Sequence, residues 1–395
     1  MNRTVKWFIA AGILIAAGII ALGVSFVVSG FNVSAFSSET EMTEREETFS
    51  ASTVSSISIN ADFKDVEITS SEDNLIAISC YENERVTFST SVSDDGKLSI
   101  EVSDSRAWYD YILPTISFSE NDTNTLVIAL PDMALDSLKV ETSSGNISSS
   151  KVTYSPIDNC SIYSDTGDIE LRYIESGLEI TSSCGNITVS DAVLSNGEGI
   201  TLNTSRGDIE LSGIEASCID ARTSTGNIVA SDISSYDSFA IVSEHLKFNS
   251  DSGDIKLSKI KARSVEANTD SGDIEGDEIS PYYYTSCQEV EFSSSSGNIS
   301  LESSYAVAID AHTYSGDVKL QDVDGEEFNV SATSGDITAS LIGECYDYIF
   351  NLVTDSGDTF IDGNTQLTGD KRFIAETSSG DINVYFSQIE TSENS

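Results

Sequence analysis

The sequence predicts an all-β fold: a parallel β-solenoid (β-helix) of about twelve turns, with an N-terminal antiparallel β cap and one N-terminal transmembrane helix. Three observations predict it. A Gly-Asp/Asn pair recurs twelve times after residue 140, a fixed pattern of apolar and hydroxyl residues surrounds each pair, and one long apolar run stands near the start. Only four prolines are present, and helix-period apolar patterning is absent after the first segment; both favour strands.

From Trp7 to Val28 the chain is apolar apart from Ser25, long enough to cross a hydrocarbon core as a helix. Arg3 and Lys6 precede the run, and Glu39, Glu41, Glu44, Glu46 and Glu47 follow it. The positive-inside rule then predicts a single-pass protein of the cell membrane, with residues 1–6 cytoplasmic, 7–28 spanning and the bulk extracellular. The run is long for a cleaved signal peptide and lacks a convincing cleavage site, which favours an anchor. Residues 29–50, rich in Ser, Thr and Glu, read as a flexible stalk. Short alternating runs between Val54 and Leu130 read as antiparallel strands, and residues 51–140 are assigned as a cap over the open edge of the solenoid.

Residues 141–386 carry the repeat. Its glycines are Gly145, Gly167, Gly185, Gly207, Gly226, Gly253, Gly272, Gly297, Gly316, Gly335, Gly357 and Gly380, at spacings of 18 to 27 residues. A period near 20 signals a solenoid. Five residues before each Gly stands an apolar residue; three before stands Ser or Thr, except at Ala332; two after stands Ile or Val, except at Thr359. The last two offsets differ by an odd number, so strand alternation must slip at a corner. The Gly is expected to supply a positive φ there, and the Asp or Asn side chain to bond nearby amides. Residues 387–395 form a polar tail, and the last edge either accepts a partner strand or is covered by that tail.

Lys+Arg number 20 against 65 Asp+Glu, a formal charge of -45, which repels nucleic acid and excludes it as a partner. The acids are spread over the repeats, as on a solvated outer face, and 39% hydrophobic residues argue for a folded chain.

With the Leu126 to Pro131 strand ending in Ala-Leu-Pro, the run Leu138-Lys139-Val140-Glu141-Thr142-Ser143-Ser144-Gly145-Asn146-Ile147 and the later Ser-Gly-Asp-Ile copies, the chain resembles the bacterial putative-adhesin family of β-strand repeat proteins over nearly everything after residue 50. The resemblance implies a role in adhesion or envelope-stress responses and fixes no ligand. It carries over no catalytic residue and no cofactor.

Eight of the twelve motif positions are Asp. Stacked carboxylates about 5 Å apart repel by roughly 1 kcal/mol in water, so they must splay, bond backbone amides or share a cation. The Asp317, Asp336, Asp358 and Asp381 run is the candidate Ca²⁺ or Mg²⁺ ladder, although the Gly-rich pattern of calcium-binding β-rolls is missing. Cys80, Cys160, Cys184, Cys218, Cys287 and Cys345 form no Cys-x-x-Cys pair; they read as small core residues, with disulfide connectivity open. His245 and His312 sit in no metal or nucleophile pattern. Trp108, Tyr109 and Tyr111, and Tyr282, Tyr283 and Tyr284, either pack on the rod's flank or anchor a partner.

The leading functional expectation is a non-enzymatic adhesin-like or envelope-stress-related binding and scaffold protein, its partner a cell-envelope polymer or surface protein. The alternative is a carbohydrate-active β-helix enzyme acting on surface polysaccharide. Against the latter, the acids repeat evenly and do not gather with a Lys, Arg or His in one groove.

Overall fold

The structure, a computed structural model, describes residues 42–105, 124–150, 157–194, 197–234, 245–280, 288–363 and 369–388. Its strands form a 15-stranded sheet and a 16-stranded sheet, here sheets I and II. Each Gly-Asp/Asn pair joins a strand of sheet I to one of sheet II, as His245–Ser250 leads through Gly253 into Ile255–Lys261. Through the stack, neighbouring strands are parallel and in register. One column of sheet I runs Val140, Ile162, Ile180, Leu202, Ala221, Phe248. Its counterpart in sheet II runs Ile147, Ile169, Ile187, Ile209, Ile228, Ile255. Both columns are buried, so the aliphatic residues flanking each Gly form one continuous core between the sheets. Burying a side chain of this size contributes about 1.5–3 kcal/mol, which makes stacking of the turns the main source of stability.

The corner glycines are required by distance. A Cβ built on Gly207 would lie 2.0 Å from the carbonyl oxygen of Gly185, and one on Gly226 would lie 1.9 Å from that of Gly207. Each turn therefore packs its backbone directly on the preceding corner, where no side chain fits. The expected positive φ occurs only toward the far end, at Gly316, Gly335, Gly357 and Gly380 (φ 156, 152, 159 and 155). The hydroxyl three residues earlier points inward and serves the same corner. Thr223 Oγ1 donates to the Gly207 carbonyl at 2.8 Å and accepts from the Gly226 amide at 3.1 Å. Ser250, Thr269, Ser294 and Thr313 repeat the first of these bonds at 2.9 to 3.0 Å. This pairing explains buried Ser and Thr in an aliphatic core.

A second corner, absent from the sequence reading, lies six residues after the Gly. Tyr173, Asp191, Gly213, Asp232, Lys259, Glu278, Ser303 and Asp322 all take left-handed φ, from 49 to 63. Beyond it the chain turns along a short third side held by isolated parallel bridges such as Val193 to Glu215 and Lys261 to Ser280.

Both ends reverse the order of turns. At the far end the last strands, Lys371–Ser379 and Ile382–Ser387, insert between Glu327–Ser334 with Ile337–Ile342 and the outermost pair, Tyr348–Ser356 with Thr359–Ile361. At the near end Ser56–Asn60 and Asp65–Ser70, read from sequence as antiparallel, pair parallel on both sides. They make a turn in which Lys64-Asp65 stands where later turns have Gly-Asp/Asn: a Cβ on Gly145 would meet the Lys64 carbonyl at 1.8 Å. Antiparallel pairing among the described residues joins Thr43–Ser50, Leu75–Glu82 and Thr125–Leu130 in sheet II, and Val86–Val92 with Lys97–Asp104 in sheet I.

The expected single-pass localisation is corrected. Among the described residues no helix is long and apolar enough to cross a membrane. The run 7–28, on which the transmembrane helix and the cytoplasmic N-terminus rested, lies outside those residues. Membrane anchoring is without structural support.

Gly207→Ala is expected to destabilise the fold by about 3 kcal/mol or more, because backbone must move to admit the methyl group. Gly177→Ala, whose Cβ would meet nothing nearer than 3.6 Å, should leave thermal unfolding nearly unchanged. Paired melts of the two variants check this.

Candidate functional site

The motif Asp and Asn side chains form a ladder along the first corner. Each Oδ1 accepts the backbone N–H of the next motif residue: Asp65 from Asn146 at 2.6 Å, Asn146 from Asp168 at 2.9 Å, Asp168 from Asn186 at 2.8 Å, and Asn186 from Asp208 at 2.9 Å. The ladder continues through Asn227, Asp254, Asp273 and Asn298 to Asp317. Only the acceptor is used, so Asp and Asn are interchangeable in geometry. From Asp65 to Asp254 the two alternate strictly, so no carboxylate there neighbours another.

The candidate cation residues close this ladder in an order that differs from the chain. Asp317 accepts from the Asp336 amide, Asp336 from Asp381 and Asp381 from Asp358, each at 2.8 Å. Asp358 is thus the outermost member and adjoins Asp381, not Asp336. Among the described residues no group of three or more His, Cys, Asp and Glu is placed to hold a metal ion.

The other candidates are dispersed. Trp108, Tyr109, Tyr111, Tyr282, Tyr283, Tyr284 and Cys287 lie outside the described residues. Cys80, Cys160 and Cys345 are buried, Cys184 is half-buried and Cys218 exposed, all as free thiols. Burial pushes the Cys160 thiol up to about 12, which leaves it unreactive. His312 Nδ1 lies 2.8 Å from the Ser331 hydroxyl, and His245 is exposed.

The sequence reading missed the outer face of sheet I, where strand register brings polar residues into two adjacent rows. One row runs Tyr163, Thr181, Asn203, Arg222, Asn249, Asn268, Ser293, His312. The other runs Asp220, Lys247, Glu266, Glu291, Asp310, Asn329. Arg222 binds Asp220 with both Nε and Nη2, at 2.8 and 2.7 Å, and Lys247 Nζ meets Glu266 at 2.5 Å. Asn268 donates to Asn249 Oδ1 at 3.2 Å, while the buried Asn249 Nδ2 has no partner among the described residues. Between these side chains opens a groove of about 490 Å³ lined by Asn203, Arg222, Ser224, Lys247, Asn249 and Asp251. Two cations, two amides and a carboxylate on a rigid sheet make a surface for hydroxyl-rich or charged ligands. The signal was present in the sequence as polar residues two and four positions after the start of each sheet I strand from Gly199–Thr204 to Glu327–Ser334, but only register aligns them.

Further along the same face, burial first, and then the carboxylates of Glu266, Glu289 and Asp310, raise the Glu291 carboxyl above its usual range; His312 opposes the shift.

The fold and its site define a parallel β-solenoid with a polar outer face. The chain belongs to the Toastrack DUF4097 family, which matches residues 54–243 and 237–395. It is also similar to solved structures. One, a putative cell adhesion protein from Clostridium sporogenes, shares 11% identity over 88% of this chain and 100% of that one, with a TM-score of 0.18. A putative adhesin from Bacteroides fragilis shares 10% over 88% and 98%, TM-score 0.28. A putative lipid binding protein from Parabacteroides distasonis shares 13% over 88% and 97%, TM-score 0.24. Likenesses at TM-scores this low carry nothing further for this chain. No curated protein matches it.

Asp336→Asn should melt at or above the wild-type temperature, since it keeps the acceptor and removes one of several adjacent charges. Asp336→Ala should lose about 1 kcal/mol. Melts in millimolar calcium and in chelator should coincide; a calcium-dependent rise abolished by Asp336→Asn would mean that the carboxylates hold a cation. The raised Glu291 carboxyl favours the native state while protonated and disfavours it once ionised. Glu291→Gln should therefore raise the melting temperature at pH 7, and the difference should vanish below about pH 4, where glutamate is protonated in both states. A pH series of melts measures it.

Proposed function

We propose that this chain is a non-catalytic, adhesin-like binding and scaffold protein, a solenoid of about twelve turns that holds an extended, hydroxyl-rich polymer along the outer face of sheet I. One observation carries the reading: the groove at Arg222, Lys247 and Asn249, with its unsatisfied buried amide, is built on strands whose register the core fixes. A repeating polymer suits a repeating face, because equivalent side chains recur with each strand, about 4.8 Å apart. Asn, Arg and Lys supply both donors and acceptors, while the surrounding acids repel nucleic acid.

The carbohydrate-active alternative has one observation in its favour, the carboxylate row Glu266, Glu291 and Asp310, in which Glu291 is shifted toward the protonated form. Against it, the row stands on a sheet face outside the groove, where the described residues raise no wall to exclude water or orient a glycosidic bond.

Co-sedimentation of the protein with insoluble peptidoglycan and with insoluble β-glucan tests the proposal. Retention on at least one polymer is expected, weakened about tenfold in a combined Arg222→Ala and Asn249→Leu variant, with no reducing ends released. Equal retention by that variant would remove the groove from the account. Reducing ends released by wild type and lost in Glu291→Gln would establish the enzyme instead.

A further inference from the structure

The outermost strand of sheet I, Tyr348–Ser356, pairs with Lys371–Ser379 on one side only among the described residues. Its inward side chains are left partly uncovered by the described residues. In the strand beneath, Phe373 and Ala375 are 0% exposed, whereas their partners Phe350 and Leu352 are only half-buried. The corner ladders stop here too. Gly357 packs on Gly380, and Asp358 donates its amide to Asp381, yet no described residue donates to the Asp358 carboxylate. On the outer side Ile349 and Val353 are 40% and 44% exposed. An edge this long and this apolar, without lysine, proline or bulge, is a template for another strand.

The surrounding charge selects the occupant. The ladder ends in four successive carboxylates, Asp317, Asp336, Asp381 and Asp358. Asp355, Asp358 and Asp362 form no ion pair among the described residues, whereas nearby Lys371 and Arg372 are engaged by Asp324 and Glu327. At the head of the strand lies a second groove of about 360 Å³, lined by Glu344 and Asp362 together with Tyr346 and Phe386, with Gln388 Nε2 donating to Glu344 Oε1 at 2.7 Å. Carboxylates beside aromatic rings fit the stem and charge of a lysine or arginine. A second copy of this chain, at a net charge of -45, would bring like charge to the same edge.

We propose that Tyr348–Ser356 is a docking edge for an extended, basic, alternately apolar segment of another protein. The segment adds as the next strand, covers Phe350 and Leu352, and places a basic side chain in the groove at Glu344 and Asp362. This edge is at the end of the solenoid and is independent of the polymer-binding face.

The test titrates the full chain with a short peptide alternating valine and lysine, and with its valine-glutamate counterpart. The lysine peptide should bind, more weakly as salt rises, and should slow amide exchange over residues 348–356. Val353→Lys, at an exposed site, and the pair Glu344→Gln with Asp362→Asn should each weaken binding about tenfold, with melting temperatures near that of wild type. Equal binding of the glutamate peptide, or of all variants, overturns the proposal. So does full protection of residues 348–356 in the free monomer, which would show the edge covered by its own chain. Sedimentation showing self-association that Val353→Lys abolishes would assign the edge to a second copy and likewise overturn it.

Discussion

The fold depends on contact between successive corners. Carbonyl and Cα meet at a distance that leaves no room for a methyl group, as at Gly185 and Gly207. That approach sets the sheets in parallel register and places the inward hydroxyl against the Gly carbonyl. It also brings each motif side chain within reach of the next amide. A hydrogen bond of this kind contributes about 1 kcal/mol net, and its greater effect is on specificity, because a slipped strand would break both corner bonds and the aliphatic columns together. The rod tolerates its charge for the same reason. Asn separates the carboxylates over most of the ladder, and where Asp residues adjoin at its end, an amide bond partly neutralises Asp317, Asp336 and Asp381.

Register also creates the outer face. Arg222, Asn249 and Asn268 are far apart in sequence but successive in sheet I, so the core that fixes the strands also fixes the spacing of the groove. The ends behave differently. Antiparallel strands terminate both sheets at the near end, where Glu44, Arg45, Glu46 and Glu47 lie on the edge strand of sheet II, whereas the other end finishes on a partly open turn with aromatic side chains and carboxylates at its corner. Phe328, Phe373, Phe350 and Phe386 follow one another there at ring distances of 5.6 to 6.1 Å, replacing the Ile and Leu of the central turns.

Most of the repeat was legible from residues alone, because the rules that set it are local. Gly, the hydroxyl and the paired aliphatics each answer a constraint of one corner, and every copy meets the same constraint. The reason for Gly was misread at most corners as backbone conformation, since close approach leaves no separate mark in sequence. The second corner escaped notice because Tyr173, Lys259 and Glu278 carry no left-handed signature; the stacking of their neighbours imposes it. The turn at Lys64-Asp65 was hidden by its missing Gly, and the exchange of the last two turns by identical motifs at both positions. The polar face could not be assembled without register, and even the Asp317 to Asp381 run was placed in the wrong order.

The most direct measurement of the corner ladder is residue-resolved amide hydrogen exchange on the intact protein. The motif amides of Asp208, Asn227, Asp254 and Asp273 lie at a surface corner and should nevertheless exchange slowly, at rates close to those of the buried strand amides beside them. Fast exchange at these corners, with protection kept in the strands, would show that sheet pairing alone holds the turns together and would contradict the account.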